Sequence, residues 1–196
     1  MGVMIRRTAL IAASLACLLA VAGCTGTNAV SQSVSGSLGW SQGDQATTWL
    51  AAGHRDSVSG VAGTLLDGSA FDLSQWRGHV VVVNFWGSWC APCVGEAKSL
   101  EQVYRDNRSN GVEFLGVDIR DNRAAAAGYI RTHAVTYPNL FDQSNLIALR
   151  FHGLPPSATP TTVIVDREGR IAARHSGAIL YTDLRDLVAK AVAEPT

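Results

Sequence analysis

The chain has 196 residues, of which 47% are hydrophobic and 16% are charged, and its formal net charge is zero. This composition provides ample apolar material for a folded core. The balanced charge and the absence of a basic run argue against nucleic acid as a partner.

The first residues are predicted to be a targeting segment and not part of the fold. Arg6 and Arg7 precede a mostly apolar stretch, residues 8–22, which suits a signal peptide and is short for a membrane-spanning helix. The stretch ends in Val-Ala-Gly-Cys, which resembles the cleavage box of bacterial lipoproteins. The resemblance implies that residues 1–23 are removed and that Cys24 carries lipid. In the alternative, an ordinary secretory signal, Cys24 is a bystander, and the protein is still exported.

Residues 24–47 are predicted to form a flexible tether. They are rich in Ser, Gly, Gln, Asn and Thr, and about 20 such residues span roughly 25 Å. The remainder, residues 48–196, is near the usual size of one domain. We therefore expect a single domain held outside the membrane.

The domain is predicted to begin with a β-hairpin over Asp56 to Leu73, because Asp67-Gly68 is a strong turn signal. A capped helical turn follows at residues 74–78. Val80 to Trp86 is apolar or nearly so and β-prone, which predicts a central strand covered on both faces. A helix starting near Cys90 ends at Asn110-Gly111.

The second half alternates short strands and helices and closes on a hairpin. The predicted elements are a strand at Val112–Ile119, a helix at Arg123–His133 capped by Asp121, an extended piece at Tyr137–Phe141, a helix from Asp142 or Ser144 to Phe151, strands at Thr161–Asp166 and Arg170–His175, and a last helix capped by Thr182. This order predicts an α/β fold. Its mixed central sheet carries helices on both faces, an N-terminal β-hairpin extension and a central insertion.

The cysteines point to thiol redox chemistry. Cys17 lies in the signal and Cys24 is the expected lipid site, which leaves Cys90 and Cys93 for the domain. A pair with this spacing on a first helical turn can close a small disulfide ring. The positive end of the helix dipole is expected to lower the pKa of Cys90, while Cys93 is expected to be buried and to act as the resolving thiol.

Two other uses of the pair were considered. A zinc site needs four ligands, and the chain offers no second Cys-x-x-Cys motif. A structural disulfide is possible in an exported protein, but a loop as short as the one between Cys90 and Cys93 would constrain little of the unfolded chain.

The sequence Trp-Cys-Ala-Pro-Cys at residues 89–93, after Val-Val-Val-Asn-Phe-Trp, resembles the active site of the thioredoxin superfamily. The hairpin, the insertion and the segment at residues 158–166 are similar to its TlpA/ResA-like branch. That branch consists of membrane-tethered, extracytoplasmic thiol–disulfide oxidoreductases, several of which serve cytochrome c maturation. The resemblance implies a thioredoxin-like fold.

The resemblance also implies roles for residues away from the cysteines. Thr159-Pro160 matches the family's cis-proline, which faces the disulfide and leaves the backbone of Thr159 free to pair with an extended substrate. The residues alone leave open that Pro160 merely begins a strand. Glu96 shares a helix face with Cys93 and matches a glutamate that assists proton transfer, although a solvated Glu96 is the alternative. Thioredoxins have a buried Asp where this chain has Asn84, which cannot take a proton.

The sequence positions of five further side chains also predict their surroundings. Trp89 is expected to form an apolar contact surface for the partner, and Trp86 to lie in the core. Asp118 lies at a strand end, from which it could approach the site, but we expect it to be solvated on the loop side. His152 and His175 are expected to be surface or hydrogen-bonded residues.

The predicted function is that of a lipid-anchored enzyme on the extracytoplasmic side of the cell membrane. It exchanges dithiols and disulfides with protein substrates through Cys90 and Cys93, in the reductive direction, and needs no cofactor or metal. The resemblance implies apocytochrome c as a substrate and a membrane thiol carrier as the electron donor. The alternatives are an oxidase that inserts disulfides into exported proteins and a copper-binding chaperone. A peroxiredoxin is disfavoured because that family has Thr where this chain has Gly87.

Overall fold

The structure, a computed structural model, describes residues 46–154 and 158–195. The predicted signal peptide, residues 1–23, lies outside the described residues, as does Cys24. All of the predicted tether except its last two residues also lies outside them.

The central strand β4 (Val80–Trp86) is buried along its whole length. The side chains of Val81, Val83 and Phe85 enter one core cluster, and those of Val80 and Val82 enter another. Successive side chains of a strand point to opposite faces, so a strand covered on both sides must be apolar at almost every position. The continuous apolar run predicted this strand with its observed bounds.

The main sheet has six strands in the order β1-β8-β7-β4-β5-β6. Their bounds are β1 (Ala46–Trp49), β5 (Val112–Ile119), β6 (Asn139–Asp142), β7 (Thr161–Val165) and β8 (Ile171–Ser176). β4 pairs in parallel with β5, and β5 with β6, whereas β7 is antiparallel to both β4 and β8. The predicted mixed α/β sheet is therefore confirmed. β1 was not predicted, and its first two residues fall inside the predicted tether.

Three α-helices cover one face of the sheet: α1 (Ala91–Asn107), α2 (Arg123–Thr132) and α3 (Tyr181–Val192). They contribute Leu100, Ile130 and Leu184, among others, to the core cluster on that face. The opposite face is covered by the hairpin of β2 (Ala62–Thr64) and β3 (Ala70–Asp72) and by 3₁₀ helices at Leu73–Trp76 and Ile147–Arg150. Helical segments thus lie on both faces, and the predicted N-terminal hairpin is present.

Three local predictions about helices were wrong. The segment from Asp142 to Phe151 contains only the 3₁₀ helix Ile147–Arg150. Asn145 has a left-handed backbone with φ of 53°, which prevents a continuous helix from Asp142 or Ser144. Asp121 does not cap α2, because the side chain of Asn122 accepts the capping hydrogen bond. Thr182 does not cap α3, which begins at Tyr181.

A buried ion pair fastens the start of the domain to its end. The guanidinium of Arg55 donates to Asp166 at 3.0 Å and to Glu194 at 2.6 Å. The side chain of Arg55 is 1% exposed and that of Asp166 is 4% exposed, so solvent screens their attraction little. These contacts join the segment after β1 to the turn after β7 and to the residues after α3.

We predict that Arg55→Ala lowers the free energy of unfolding by about 3 kcal/mol, because it removes one of the two arginines that pair with the buried carboxylate of Asp166 and leaves only the half-buried Arg170. Urea unfolding of the oxidised protein measures this loss. The matched control is Arg185→Ala, which breaks the exposed Arg185–Asp186 pair and is expected to change the stability much less. Equal losses for the two variants would contradict the prediction.

Candidate active site

Cys90 and Cys93 form a disulfide at the start of α1. Cys90 is the N-cap residue, and its Sγ lies 3.2 Å from the backbone N–H of Cys93, while Pro92 occupies the first turn, where no helical N–H is lost. Cys90 is 4% exposed and Cys93 is 0% exposed. The predicted helix start is confirmed, and Cys93 is the more buried cysteine, as expected.

The loop before Cys90 is shaped by the indole of Trp89. A Cβ added at Gly87 would lie 2.5 Å from Nε1 of that indole, so a threonine at this position would displace the ring. Trp89 is 53% exposed, and its Nε1–H donates to the carbonyl of Ile119 at 3.2 Å. The exposed ring is thus held beside Cys90 by a contact with the end of β5.

Trp86 lies in the core, as predicted. Its Nε1–H donates to Oδ1 of Asn139 at 2.9 Å, and its ring stacks on Tyr129 with centroids 4.3 Å apart. Gly116 makes this contact possible, because a side chain there would overlap the Asn139 amide. The last residue of β4 is therefore fixed from two sides before the chain enters the loop to Cys90.

Sequence analysis missed Tyr129, which touches the first turn of α1. Its hydroxyl donates to the carbonyl of Cys93 at 2.7 Å. Burial, with the charge of Glu96, raises the pKa of Tyr129 well above its ordinary value, so the hydroxyl keeps its proton and remains a donor. A tyrosine on a helix gives no sequence signal for such a contact, because the contact depends on how α2 docks against α1.

Glu96 is buried in the site and is not the solvated alternative. It is 1% exposed, and its carboxyl group accepts from Nδ2 of Asn84 at 2.8 Å and from the N–H of Ile179 at 2.9 Å. Burial raises the pKa of Glu96 to about 7, although the hydrogen bonds from Ile179 and Asn84 act in the opposite direction. A group with this pKa can both take and give a proton near neutral pH.

Asn84 occupies the position of the thioredoxin Asp and has a different task here. Its side-chain amide donates both to Glu96 and to Oγ1 of Thr162, the latter at 3.2 Å. An aspartate could not donate these hydrogen bonds when ionised. The buried ionisable group is therefore on the helix, at Glu96, and not on the strand.

The peptide bond between Thr159 and Pro160 is cis, as the resemblance implies. Thr161 pairs with Phe85 across the sheet, so Pro160 lies level with the end of β4, where the loop to Cys90 begins. The carbonyl of Pro160 accepts from the N–H of Gly177 at 3.0 Å. Within residues 46–154 and 158–195, no backbone hydrogen bond reaches Thr159.

The expectation that Asp118 is solvated was wrong. Asp118 is 0% exposed and follows the alternation of β5 onto the helix-covered face of the sheet. Its parallel partner is Trp86, at the point where β4 ends. The histidine expectation was right, since His152 is exposed and His175 is buried and hydrogen-bonded to Thr47 and to the carbonyl of Ala178.

Two features are absent from the residues that the structure describes. Within them, no group of three or more His, Cys, Asp or Glu side chains is arranged to hold a metal ion. None of the helices in the same ranges is both long enough and apolar enough to cross a membrane.

Residues 56–174 match the AhpC/TSA family, which is more than half of the chain. The chain belongs to the AhpC/TSA family. Among curated relatives, the thiol–disulfide oxidoreductase ResA of Geobacillus thermodenitrificans is 28% identical over 120 residues, which are 61% of this chain and 67% of that protein. Its name describes the chemistry that a disulfide at a helix start can perform.

Solved structures support the same assignment within the AhpC/TSA family. A secreted thiol-disulfide isomerase from Corynebacterium glutamicum matches with a TM-score of 0.73 and 27% identity over 80% of this chain and 97% of that one. A secreted disulfide oxidoreductase of Mycobacterium tuberculosis, homologous to DsbE of E. coli, matches with a TM-score of 0.60 and 28% identity over 66% and 94%. The protein is thus a thioredoxin-like thiol–disulfide oxidoreductase.

We predict that Glu96 makes the stability of the oxidised protein fall as pH rises from about 4.5 to 7. The folded state holds the Glu96 proton up to a pKa of about 7, whereas the unfolded chain releases it near pH 4.5, so the folded state binds more protons in this interval. The free energy of unfolding of the wild type should drop by about 3 kcal/mol relative to Glu96→Gln over this range.

Urea unfolding at several pH values measures this difference. Glu168→Gln, which changes a glutamate whose side chain is 47% exposed, is the control and should run parallel to the wild type. A difference between the wild type and Glu96→Gln that does not change with pH would contradict the prediction.

Proposed function

We propose that the protein is a lipid-anchored, extracytoplasmic reductase of protein disulfides in which Cys90 attacks and Cys93 resolves. The observation that carries the proposal is the disulfide at the N-terminus of α1, with Cys93 completely buried and Glu96 one helical turn further on. Cys90, which is 4% exposed, is the cysteine that a partner can reach more easily, and the fully buried Cys93 is suited to release the partner afterwards.

Each turnover consists of two exchanges. The Cys90 thiolate attacks one sulfur of a partner's disulfide, so that a mixed disulfide forms, the partner's S–S bond breaks and its other sulfur leaves as a thiolate. The thiol of Cys93 then loses its proton, for which the buried Glu96 carboxylate is the proposed acceptor, and attacks Cys90. The second sulfur of the partner leaves, the partner is reduced by two electrons, and Cys90–Cys93 is oxidised.

The substrate is proposed to bind as an extended segment beside Thr159. The backbone of Thr159, which lacks a hydrogen-bonding partner among the described residues, can pair with a strand of the substrate. The half-exposed indole of Trp89 supplies an apolar surface beside Cys90. This arrangement favours unfolded or flexible protein segments, and the Cys-x-x-Cys-His segment of apocytochrome c is the proposed example.

Location and electron supply complete the proposal. The secreted neighbours support an extracytoplasmic position, and the lipoprotein box before Cys24 supports an anchor on the membrane. Electrons for restoring the reduced cysteines are proposed to come from a membrane thiol carrier. No cofactor or metal has a part in the scheme.

Net oxidation of exported proteins is the second candidate, because Cys90 lies at the N-terminus of α1, which stabilises a thiolate and makes the pair more oxidising. The same two exchanges run backwards if the oxidised form is the one supplied. Trapping the cysteines in cells with acid and alkylating them distinguishes the two, since a reductase is held mostly reduced and an oxidase mostly oxidised.

We predict that Cys93→Ser accumulates mixed disulfides through Cys90, because the attacking thiol remains and the resolving thiol is gone. Non-reducing gels and mass spectrometry of the captured partners measure this, and apocytochrome c should be among them. Cys90→Ser is the matched control and should capture nothing and lose turnover. A Cys90→Ser variant with full exchange activity would contradict the assigned roles.

We predict that Cys24→Ser releases the protein from the membrane, because the lipid is attached to that sulfur. Partition into Triton X-114 and cell fractionation measure the change, and exchange activity of the released protein should be retained. Cys17→Ser, which alters the other cysteine of the N-terminal segment, should leave the protein anchored. Continued partition of Cys24→Ser into the detergent phase would argue against the lipoprotein assignment.

A further inference from the structure

The end of β5 is bound directly to the loop that carries Cys90. The backbone N–H of Ser88 donates to Oδ2 of Asp121 at 2.7 Å, and the indole of Trp89 donates to the carbonyl of Ile119 at 3.2 Å. Both acceptors lie within three residues of Asp118. The position of the loop therefore depends on the chain at the end of β5.

Asp118 is buried in the same corner, where the nearby carboxyl group of Asp121 interacts with it. Its side chain points to the helix-covered face beside Trp86, and it is 0% exposed. Neither carboxyl oxygen has a hydrogen bond of normal geometry within the described residues. An ionised carboxylate so placed is very unfavourable, whereas a protonated one is much less so.

The charged groups near Asp118 also favour its protonated form. Asp121 repels a negative charge on Asp118, while Arg123 at the start of α2 attracts it. The other acid on this face, Glu96 of α1, is bound to Asn84 and Ile179. Burial first, and then the charge of Asp121, raises the pKa of Asp118 to about 8.

Asp121 itself stays ionised. Burial acts to raise its pKa, but hydrogen bonds from Ser88 and from the backbone of Asn122 outweigh burial and lower it. Two adjacent acids are thus held with one proton between them, and the proton resides on Asp118. This leaves the negative charge of Asp121 free to bind the N–H of Ser88.

We propose that Asp118 is a positioning residue of the redox centre: its proton keeps a second negative charge out of this corner, so that Asp121 can hold the loop Gly87–Trp89 and with it Cys90. Loss of that proton places two like charges together and weakens the hydrogen bond to Ser88. Asp118 takes no part in bond making. The expected effect on thiol exchange rests on the proposed role of Cys90. The expected effect on the position of the loop does not depend on that role.

The structural part is tested in the oxidised full-length chain, in which Cys90 and Cys93 cannot titrate. We expect the amide resonance of Ser88 to shift with a midpoint near pH 8 in the wild type. The hydrogen exchange of this amide should accelerate by about fivefold beyond the intrinsic effect of pH. A factor of this size corresponds to the loss of one hydrogen bond. Asp118→Asn, which carries no proton to lose, should abolish both effects.

Two variants serve as controls for this measurement. Asp183→Asn changes an exposed aspartate at the start of α3 and should keep the wild-type midpoint. Asp121→Asn removes the like charge and should move the midpoint downward. A Ser88 titration that is unchanged in Asp118→Asn would overturn the proposal.

A direct measurement on the wild type tests the proposal even if the variants do not fold. The side-chain carboxyl carbon of Asp118, observed by ¹³C NMR in the oxidised protein, should titrate near pH 8. A midpoint below pH 5 would overturn the proposal without any substitution.

The functional part is tested by the rate at which reduced protein reacts with the neutral disulfide 4,4′-dithiodipyridine. We expect the ratio of the wild-type rate to that of Asp118→Asn to rise by about fivefold around pH 8, because the loosened loop uncovers the Sγ of Cys90. A constant ratio would overturn the link from Asp118 to Cys90. Failure of the Cys93→Ser trap would instead count against the proposed roles of the cysteines and leave the Ser88 result intact.

Discussion

The two hydrogen bonds accepted by the carboxyl group of Glu96 hold the surroundings of the disulfide together. They join α1, which carries Cys93, to Asn84 in the middle of β4 and to Ile179 ahead of α3. Asn84 extends the same network to Thr162, two residues after the cis-proline. Three segments that are distant in sequence therefore meet at one buried acid, and each contributes a different part of the site.

The site contains two buried carboxyl groups, those of Glu96 and Asp118, and each is tolerated for a different reason. Glu96 has two donors, which offset part of the cost of desolvation and leave its pKa at about 7. Asp118 has no donor and faces another acid, so its pKa of about 8 reflects burial and repulsion together. Both lie on the helix-covered face because they occupy positions on α1 and β5 that point there.

Local sequence patterns predicted the parts of the fold that local interactions determine. The apolar run at residues 80–86 and the cysteines before a helical pattern were sufficient for β4 and the start of α1. The pattern failed where tertiary contacts decide. β1 is an edge strand whose partner β8 lies far along the chain, and the helix expected before Phe151 shortened to a 3₁₀ turn around Asn145.

The residues of the site, like the elements of the fold, could be predicted from the sequence only in part. Cys90, Cys93, Glu96 and Pro160 stand at spacings that a family motif records, so a single sequence was enough to find them. Tyr129 and Asp118 were not found in their observed roles. A hydroxyl that reaches a neighbouring helix and a strand-end acid without a donor look, in sequence, like an ordinary helix residue and a solvated one. Only the docking of α2 and the closure of the loop over β5 distinguish them.

The two acids also bear on the direction of exchange. The N-terminus of α1 favours a thiolate on Cys90, and a stabilised thiolate favours the reduced form and makes such a protein a stronger oxidant. Negative charge near the same sulfur acts in the opposite direction. Glu96, with a pKa of about 7, is partly ionised at neutral pH and lies one helical turn from Cys93. Thioredoxins proper instead carry their buried acid on the strand. The charge of Glu96 disfavours the thiolate and hence the reduced form, which lowers the reduction potential. This effect of Glu96 supports the proposed reductive direction, whereas the N-terminus of α1 at Cys90 acts against it.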